Sequence, residues 1–384
     1  MTASTAASGG EDRVADAVQP ADDARGTDVA ERHARVLRIA ATGRGGASTQ
    51  QQALRDLLDA GGCCTADDVI AELHGRVGGA DEATVARTAA RLRALAGGLV
   101  VVGDDHYPAQ LADAWPELGA PLWLFVAGSP LPRPRRPAVA IVGTRGPTLD
   151  GVRTAHDLAA ALAEAGVDVV SGLARGIDQA AHRGALDAGG RTYAVLGTGL
   201  GVDYPAGSAT LRDRIVRSGA LFTELPPATG PRPWQFLARN RIISGLADAT
   251  VVVEGRARSG ALQTARMAAG QGRDVWAVPG SINAPTSAAP LALLRDGAIP
   301  LTGIDDFVTA VTDTAPSDAR EAVGARIDLS ADARSVLALL GAVPSSIDAL
   351  SQAGTLPTHA VMAAVGELVD RGAAAMTPHG VVRA

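Results

Sequence analysis

Between positions 138 and 301 the chain alternates short apolar runs with stretches whose apolar residues recur every three to four positions. Val139–Val142, Val167–Val170, Thr192–Leu196, Ala220–Phe222, Thr250–Val253 and Val275–Val278 read as strands buried on both faces. Ala- and Leu-rich helical stretches such as 157–165 and 262–269 lie between them. Strand, helix, strand in this order predicts an α/β fold, a Rossmann-like, doubly wound, mostly parallel sheet. Upstream, Leu99–Pro108 reads as a strand ending in a turn and Pro121–Val126 as a second strand. Pro132, Pro134 and Pro137 interleave with arginines to form a stiff connector.

The flanks differ. Residues 1–28 are Ala-, Ser-, Gly- and Asp-rich without periodicity and predict a disordered acidic leader. Helical spacing of Val36, Ile39, Leu54, Leu57, Leu58, Val85, Leu92 and Leu95 predicts a small helical domain over 29–98, which resembles a sterile-alpha-motif or helix-hairpin-helix domain. The Rossmann-like domain then covers 99–312 and a linker covers 313–328. Over 329–384 the pattern predicts three helices (331–340, 346–353, 358–370) and a hairpin around Pro378-His379-Gly380, a winged-helix-like order. Ser345 or Ser346 and Thr358 suit N-caps there.

Composition narrows the chemistry. All 35 basic residues are arginine, so Walker, Schiff-base and kinase-type lysines are excluded. The net charge of −6 argues against a general polyanion binder when the chain is taken whole. By region, 133–300 holds 19 Arg against 13 acidic residues, so the core is basic beneath acidic flanks. Cys63 and Cys64 are adjacent and suit neither a disulfide nor a metal set, which points to a reduced, cytoplasmic interior. No apolar run is long enough for a membrane span and no signal pattern opens the chain.

Ligands of doubly wound sheets bind outside the carboxyl ends of the strands. The first strand ends in Gly143-Thr144-Arg145, where glycine, a helix N-terminus and a guanidinium suit an anion or make a plain tight turn. The second ends in Ser171-Gly172-Leu173-Ala174-Arg175-Gly176, followed by Asp178 and His182, four apart, as a structural cap pair rather than a metal or acid–base pair. The third carries Gly197–Gly201 and Asp203-Tyr204-Pro205. Trp234, Phe236, Arg239, Asn240 and Arg241 bring aromatic and guanidinium groups together, suited to phosphates and a stacked base. Glu254, Arg256, Arg258 and Ser259-Gly260 follow the fifth strand. Neither a dinucleotide fingerprint nor a metal-ligand set is present, the seven histidines are scattered, and no catalytic set emerges. No cofactor is expected, and holding phosphates fits better than transforming them.

Ile141–Arg145, Ser171–Asp178 with Ala181-His182, Asp203–Pro205, Arg239–Ile243 with Gly245-Leu246, Ser259-Gly260 with Thr264-Ala265, and Val278–Gly280 together resemble the DNA processing protein A (DprA/Smf) family. Asp105–Pro108, Leu111, Pro121-Leu122 and Gly128 extend the likeness, which is dense from 103 to 298. The resemblance implies a non-enzymatic, dimerising Rossmann-like core that binds and protects single-stranded DNA. It also implies delivery of the recombinase RecA onto incoming DNA during natural transformation. By motif position it implies a phosphate pocket at Gly143, Thr144 and Arg145, with the 171–176 loop beside it. Phe236, Arg239, Asn240 and Arg241 would line the DNA path, together with Ser259 and Gly260.

Three departures stand out. Leu237 replaces a usual proline. Ala289 and Leu291 replace a Gly and an Asn, so the resemblance does not extend to a polar contact there. The C-terminal segment sets Arg334, Arg371 and Arg383 against Asp332, Asp348, Glu367 and Asp370, a poor balance for reading DNA and a better one for a protein contact or structural role. A competing class is a Rossmann-like nucleoside-monophosphate phosphoribohydrolase, but Ser259–Thr264 lacks that group's double glycine and helix glutamate. A purely architectural dimer with vestigial loops is the third reading.

Overall fold

The computed structural model describes residues 26–59, 65–112, 120–129, 136–314, 330–340, 346–354, 356–370, 374–377 and 380–383. The expected leader up to residue 25 and most of the expected linker lie outside them. The chain divides into two compact units, the first made of residues up to 131 with 138–313, the second of 314–384 with 132–137.

A nine-stranded sheet organises the first unit. Its strands are β1 (Gly97–Val101), β2 (Trp123–Gly128), β3 (Ala138–Val142), β4 (Asp168–Ser171), β5 (Thr192–Val195), β6 (Ala220–Thr223), β7 (Ala249–Val252), β8 (Asp274–Ala277) and β9 (Ile299–Pro300). Their order is β1-β2-β6-β5-β4-β3-β7-β8-β9. From β6 to β9 every pair is parallel, whereas β1 and β2 are added antiparallel at one edge. The chain steps outward from β3 through β4, β5 and β6, then returns to the other side of β3 for β7. The ends of β3, β4 and β7 therefore flank the topological switch point, where a crevice opens.

The pleat sorts side chains between two cores. Val139 and Ile141 of β3 face one cluster with Leu158 and Leu162 of α6 (Leu149–Glu164), Ile177 and Ala181 of α7 (Ile177–Asp187) and Phe307 of α12 (Ile304–Thr314). Ala138, Ala140 and Val142 face the other, with Ile215 of α8 (Ala209–Ser218), Ile242 and Ile243 of α9 (Pro233–Gly245) and Ala265 of α10 (Gly260–Gly270). This period-two division is why the central strands read as unbroken apolar runs. Helix α11 (Ala288–Arg295) packs beside β8.

The first four helices, α1 (Gly26–Ala41), α2 (Ala47–Asp59), α3 (Ala66–Val77) and α4 (Glu82–Ala94), do not make a core of their own. Val36, Ile39, Leu54, Ile70, Leu73, Val85 and Leu92 bury into the same cluster as Trp123, Phe125 and Phe222 of the sheet. Gln50 ties the layers further, its Oε1 accepting Leu122 N–H at 2.9 Å. The four helices and the sheet thus share one continuous core on either side of the boundary expected at 98/99. The one-turn α5 (Ala109–Ala112) lies between β1 and β2 along the chain.

The second unit holds α13 (Ala331–Leu339), α14 (Ile347–Gly354), α15 (Thr358–Asp370) and a hairpin of β10 (Ala374–Thr377) with β11 (Gly380–Arg383). Val336, Leu350, Val361, Leu368 and Val381 form its core. Ser330 and Ser346 accept the backbone N–H groups of Ala333 and Ala349, each at 3.1 Å. The cap expected at Ser345 or Ser346 falls on Ser346.

Candidate nucleic-acid interface

Two adjoining cavities open at the switch point. The larger, about 730 Å³, is walled by Gly143–Arg145 after β3, by Arg232, Phe236, Leu237, Arg239 and Asn240 from α9, and by Arg256, Arg258, Ser259 and Gly260 after β7. The smaller, about 510 Å³, is lined by Gly172 and Arg175 after β4 and by Gly197, Asp203 and Tyr204 after β5. Arg145, Tyr204, Phe236 and Arg239 border both.

The partition between them is aromatic and cationic. The Phe236 and Tyr204 rings lie 5.0 Å apart, tilted by 38°. The exposed Arg145 guanidinium sits 5.5 Å from the Phe236 ring centroid, a cation–π contact worth roughly 0.5–1 kcal/mol at an exposed position. Phe236 is placed by α9, which Pro233 opens at its first turn. There Arg232 N–H donates to Gln235 Oε1 at 2.7 Å. Tyr204 is held from the other side: Asp203 accepts Gly207 N–H at 3.1 Å and Ser208 Oγ–H at 3.0 Å. Buried Arg212 donates to the carbonyls of Leu200 and Val202 in the same loop.

Of the residues singled out in the sequence, Gly143, Thr144, Arg145, Phe236, Arg239, Asn240, Ser259 and Gly260 border the larger cavity, and Gly172 and Arg175 the smaller. Several nevertheless do a different job from the one expected. Ser171 is fully buried and donates to Ile141 O at 2.6 Å, pinning β4 to β3. Arg241 is buried and forks onto Glu224, with Nη1–Oε2 at 2.7 Å and Nη2–Oε1 at 2.5 Å. Both of its terminal nitrogens are committed, so the expected DNA contact at Arg241 corrects to a buried ion pair. Arg239 is 6% exposed and donates through Nη1 to Gly172 O at 2.7 Å and to Val195 O, clamping the ends of β4 and β5. Burial draws its pKa down to about 10, against the pull of Asp178, so it stays charged at neutral pH. It forms the cationic floor of the cleft rather than a free arm.

The glycines fit this packing. A Cβ on Gly143 would meet Ile177 Cγ1 at 2.5 Å, and one on Gly172 would fall on the Arg239 guanidinium. Gly176 has φ +88° and its missing Cβ would strike Thr144 O. They let the three loops converge. Asn240 Nδ2 donates to Gly260 O at 3.2 Å, and Ser259 caps α10, its Oγ accepting Leu262 N–H at 3.4 Å.

Asp178 and His182 do not pair. Asp178 Oδ2 accepts Gly172 N–H at 3.1 Å and Ala174 N–H at 3.3 Å, closing the loop after β4. Burial raises its pKa, opposed chiefly by Arg239. His182 Nδ1 meets Thr192 Oγ1 at 2.7 Å, and burial, helped by Arg239 and Arg183, pushes its pKa down to about 3. A proton-shuttling pair is absent here.

The N-terminus of α6, expected to take an anion, holds a carboxylate of the chain itself. Glu254 accepts Thr148 N–H at 2.9 Å and Thr148 Oγ–H at 2.6 Å. An external phosphate near Arg145 would therefore rest on guanidinium groups rather than on this helix end. Tyr204, Arg256 and Arg258, noted in the sequence only as strand-end residues and not assigned to the DNA path, also line the cleft, as does Arg232, which no sequence signal marked. Ala289 is fully buried against Gly255 and neither it nor Leu291 borders the cleft. Among the described residues no group of three or more His, Cys, Asp or Glu could hold a metal, and no helix is long and apolar enough to cross a membrane.

The molecule is a Rossmann-like protein whose switch-point cleft is ringed by arginines and split by two aromatic rings, an arrangement chemically suited to anions and stacked bases. Comparison with known proteins narrows it further. The sequence model of the family described as DNA recombination-mediator protein A matches residues 98–312. A DprA relative of Mycobacterium tuberculosis (strain H37Rv) is 42% identical over 276 residues, covering 68% of this chain and 70% of its own. The structure of DNA processing protein A from Streptococcus pneumoniae superposes with a TM-score of 0.59 at 33% identity, covering 71% of this chain and 97% of that one. A second, from Helicobacter pylori, is reported with a single-stranded DNA binding mode; it gives a TM-score of 0.50 at 26% identity, covering 56% and 95%. The chain belongs to the DprA/Smf family of DNA recombination mediators.

Proposed function

We propose that this chain binds single-stranded DNA in the two-part cleft, protects it, and loads a RecA-type recombinase onto it. The observation that carries the reading is the Arg145–Phe236–Tyr204 partition, a cation and two rings placed together at the switch point. Arg145, Arg175, Arg232, Arg256 and Arg258 are exposed and can follow a phosphate backbone, while the rings offer a face to any unpaired base. Gly143, Thr144, Asn240, Ser259 and Gly260 shape the walls. Membership of a recombination-mediator family supports the recombinase partner, the role in natural transformation, a homodimer through the Rossmann-like unit, and action in the cytoplasm. The C-terminal unit, winged-helix-like in element order, is assigned a protein-contact or structural role by its charge. The phosphoribohydrolase alternative is not favoured by the family match.

The test compares a labelled single-stranded oligonucleotide with its duplex at two salt concentrations, for wild type and Arg145→Glu. Single-strand preference is expected, with weaker binding and a log–log salt slope flatter by roughly 0.7 in the variant. Unchanged affinity and slope in Arg145→Glu would refute this placement of the site.

A further inference from the structure

The apolar surface of the cleft does not stop at Phe236. Trp234 and Leu237, three positions apart on α9, share a side of the helix, and about half of each is exposed, 52% and 51%. Leu237 also borders the larger cavity, so one helical turn carries apolar surface from the cavity wall over its lip to the indole. Core packing does not account for Trp234. Its indole N–H has no acceptor and its ring no aromatic partner among the described residues, whereas buried Trp123 donates to Glu224 O at 3.1 Å and Trp276 stacks edge-on against Phe307 at 4.9 Å. The exposed Arg232 stands two positions before Trp234, and exposed Arg258 belongs to the same cavity. Apolar rings set between guanidinium groups suit a ligand that is itself apolar in its bases and anionic along its backbone.

We infer that the Trp234–Leu237 lip is a second base-stacking platform, taken by single-stranded DNA as it leaves the cleft. The inference rests on the functional reading above and extends the track beyond the cavity. A base on Trp234 lies flat against the indole, with Leu237 supporting it from the cavity side and Arg232 within reach of its phosphate. Stacking of this kind is sequence-tolerant because every base offers a π-face.

The experiment uses the full chain and oligo-dT of graded length, read by anisotropy and by intrinsic tryptophan emission. Among the chain's four tryptophans, Trp123 is buried, Trp276 is packed on Phe307, and Trp115 lies outside the described residues. Single-stranded DNA is expected to quench the emission. Trp234→Phe should remove most of the quenching while keeping a ring and most of the affinity. Trp234→Ala should lose at least about fivefold on long oligonucleotides, the low end for alanine at a stacking ring, and nothing on the shortest that still bind. Wild-type binding with unmoved emission and unchanged Trp234→Ala affinity at every length would overturn the platform. So would a Trp234→Ala change in sedimentation with DNA affinity intact, which marks the lip as a protein contact. Wild-type chain that binds no single-stranded DNA overturns the functional reading, and the platform with it.

Discussion

Arg241 offers the sharpest separation between a residue that holds the fold and one that holds DNA. Its guanidinium and the Glu224 carboxylate form two charge-assisted bonds, and each side chain is only 7% exposed. Arg241→Ala removes one charge and leaves the other buried with no counter-ion. Breaking such a pair costs about 3–5 kcal/mol, most of it from desolvating the orphaned charge. Arg241 Nη1 also donates to Ala238 O at 2.9 Å, a bond worth about 1 kcal/mol net that is lost as well. The expected result is a clear fall in the urea midpoint of the first unit. Trp123 is a local reporter, since its indole donates to the Glu224 carbonyl. Glu224→Ala should cost a similar amount, and the double variant much less than the two together, because neither charge is then left alone. In low urea, where it is folded, Arg241→Ala should keep the wild-type affinity and salt slope for single-stranded DNA. Wild-type stability combined with lost DNA binding would refute the reasoning and return Arg241 to the DNA path.

Two further outcomes follow from the same packing. His182 takes up a proton near pH 6.5 when unfolded but resists it when folded down to about pH 3, so stability falls as pH drops through that window, by at most about 1.4 kcal/mol per unit from this group. Urea unfolding across pH 7 to 4 with imidazole NMR checks it, and a His182 signal that titrates near 6.5 would contradict the buried neutral ring. Gly172→Ala should destabilise by about 1–3 kcal/mol, since the new methyl displaces the Arg239 clamp, whereas Gly146→Ala, with open space at its Cβ, should be near neutral in the same melt.

The central strands were legible because each is buried on both faces and shows its hydrophobicity without interruption. β9 was not, being two residues long with a proline. Helical periodicity marked Val36 and Ile39 of α1, Leu54 of α2 and Val85 and Leu92 of α4, all buried, and missed Val69, Ile70 and Leu73 of α3. It cannot say what a face meets, and that these faces bury into the sheet's own core was not readable from spacing. At the site the limit is sharper. Arg145, Arg239 and Arg241 are the same residue type near the same crevice, yet one is exposed, one clamps two loop carbonyls and one is neutralised by Glu224. Glu224 stands 17 positions away with no periodic relation to announce it. Ser171 is read wrongly for the same reason: a hydroxyl at a strand end advertises an open donor until the neighbouring strand's carbonyl takes it. The convergence of these loops could be read in advance, because strand ends at a switch point come together whatever their side chains do.

The occupied N-terminus of α6 changes what kind of affinity this cleft can have. Had Thr148 N–H and its neighbours been free, one phosphate could be held in fixed geometry by backbone donors, as in phosphate-binding loops. Glu254 takes that position and brings a negative charge within the same loop cluster. An anion is then attracted by Arg145 and the other rim arginines, with Arg239 beneath, and is kept away from the helix end. Guanidinium groups on exposed side chains adapt to a moving backbone, and rings accept any base, so the arrangement favours a flexible strand held at several weak points over one nucleotide held tightly. Duplex DNA, with its bases already stacked, can satisfy the arginines but not the rings. On the proposed reading the preference for single strands should therefore lie in the rings, Phe236 and Tyr204 in the cleft and Trp234 at its lip, and the salt dependence in the arginines, two terms that separate mutations can move independently.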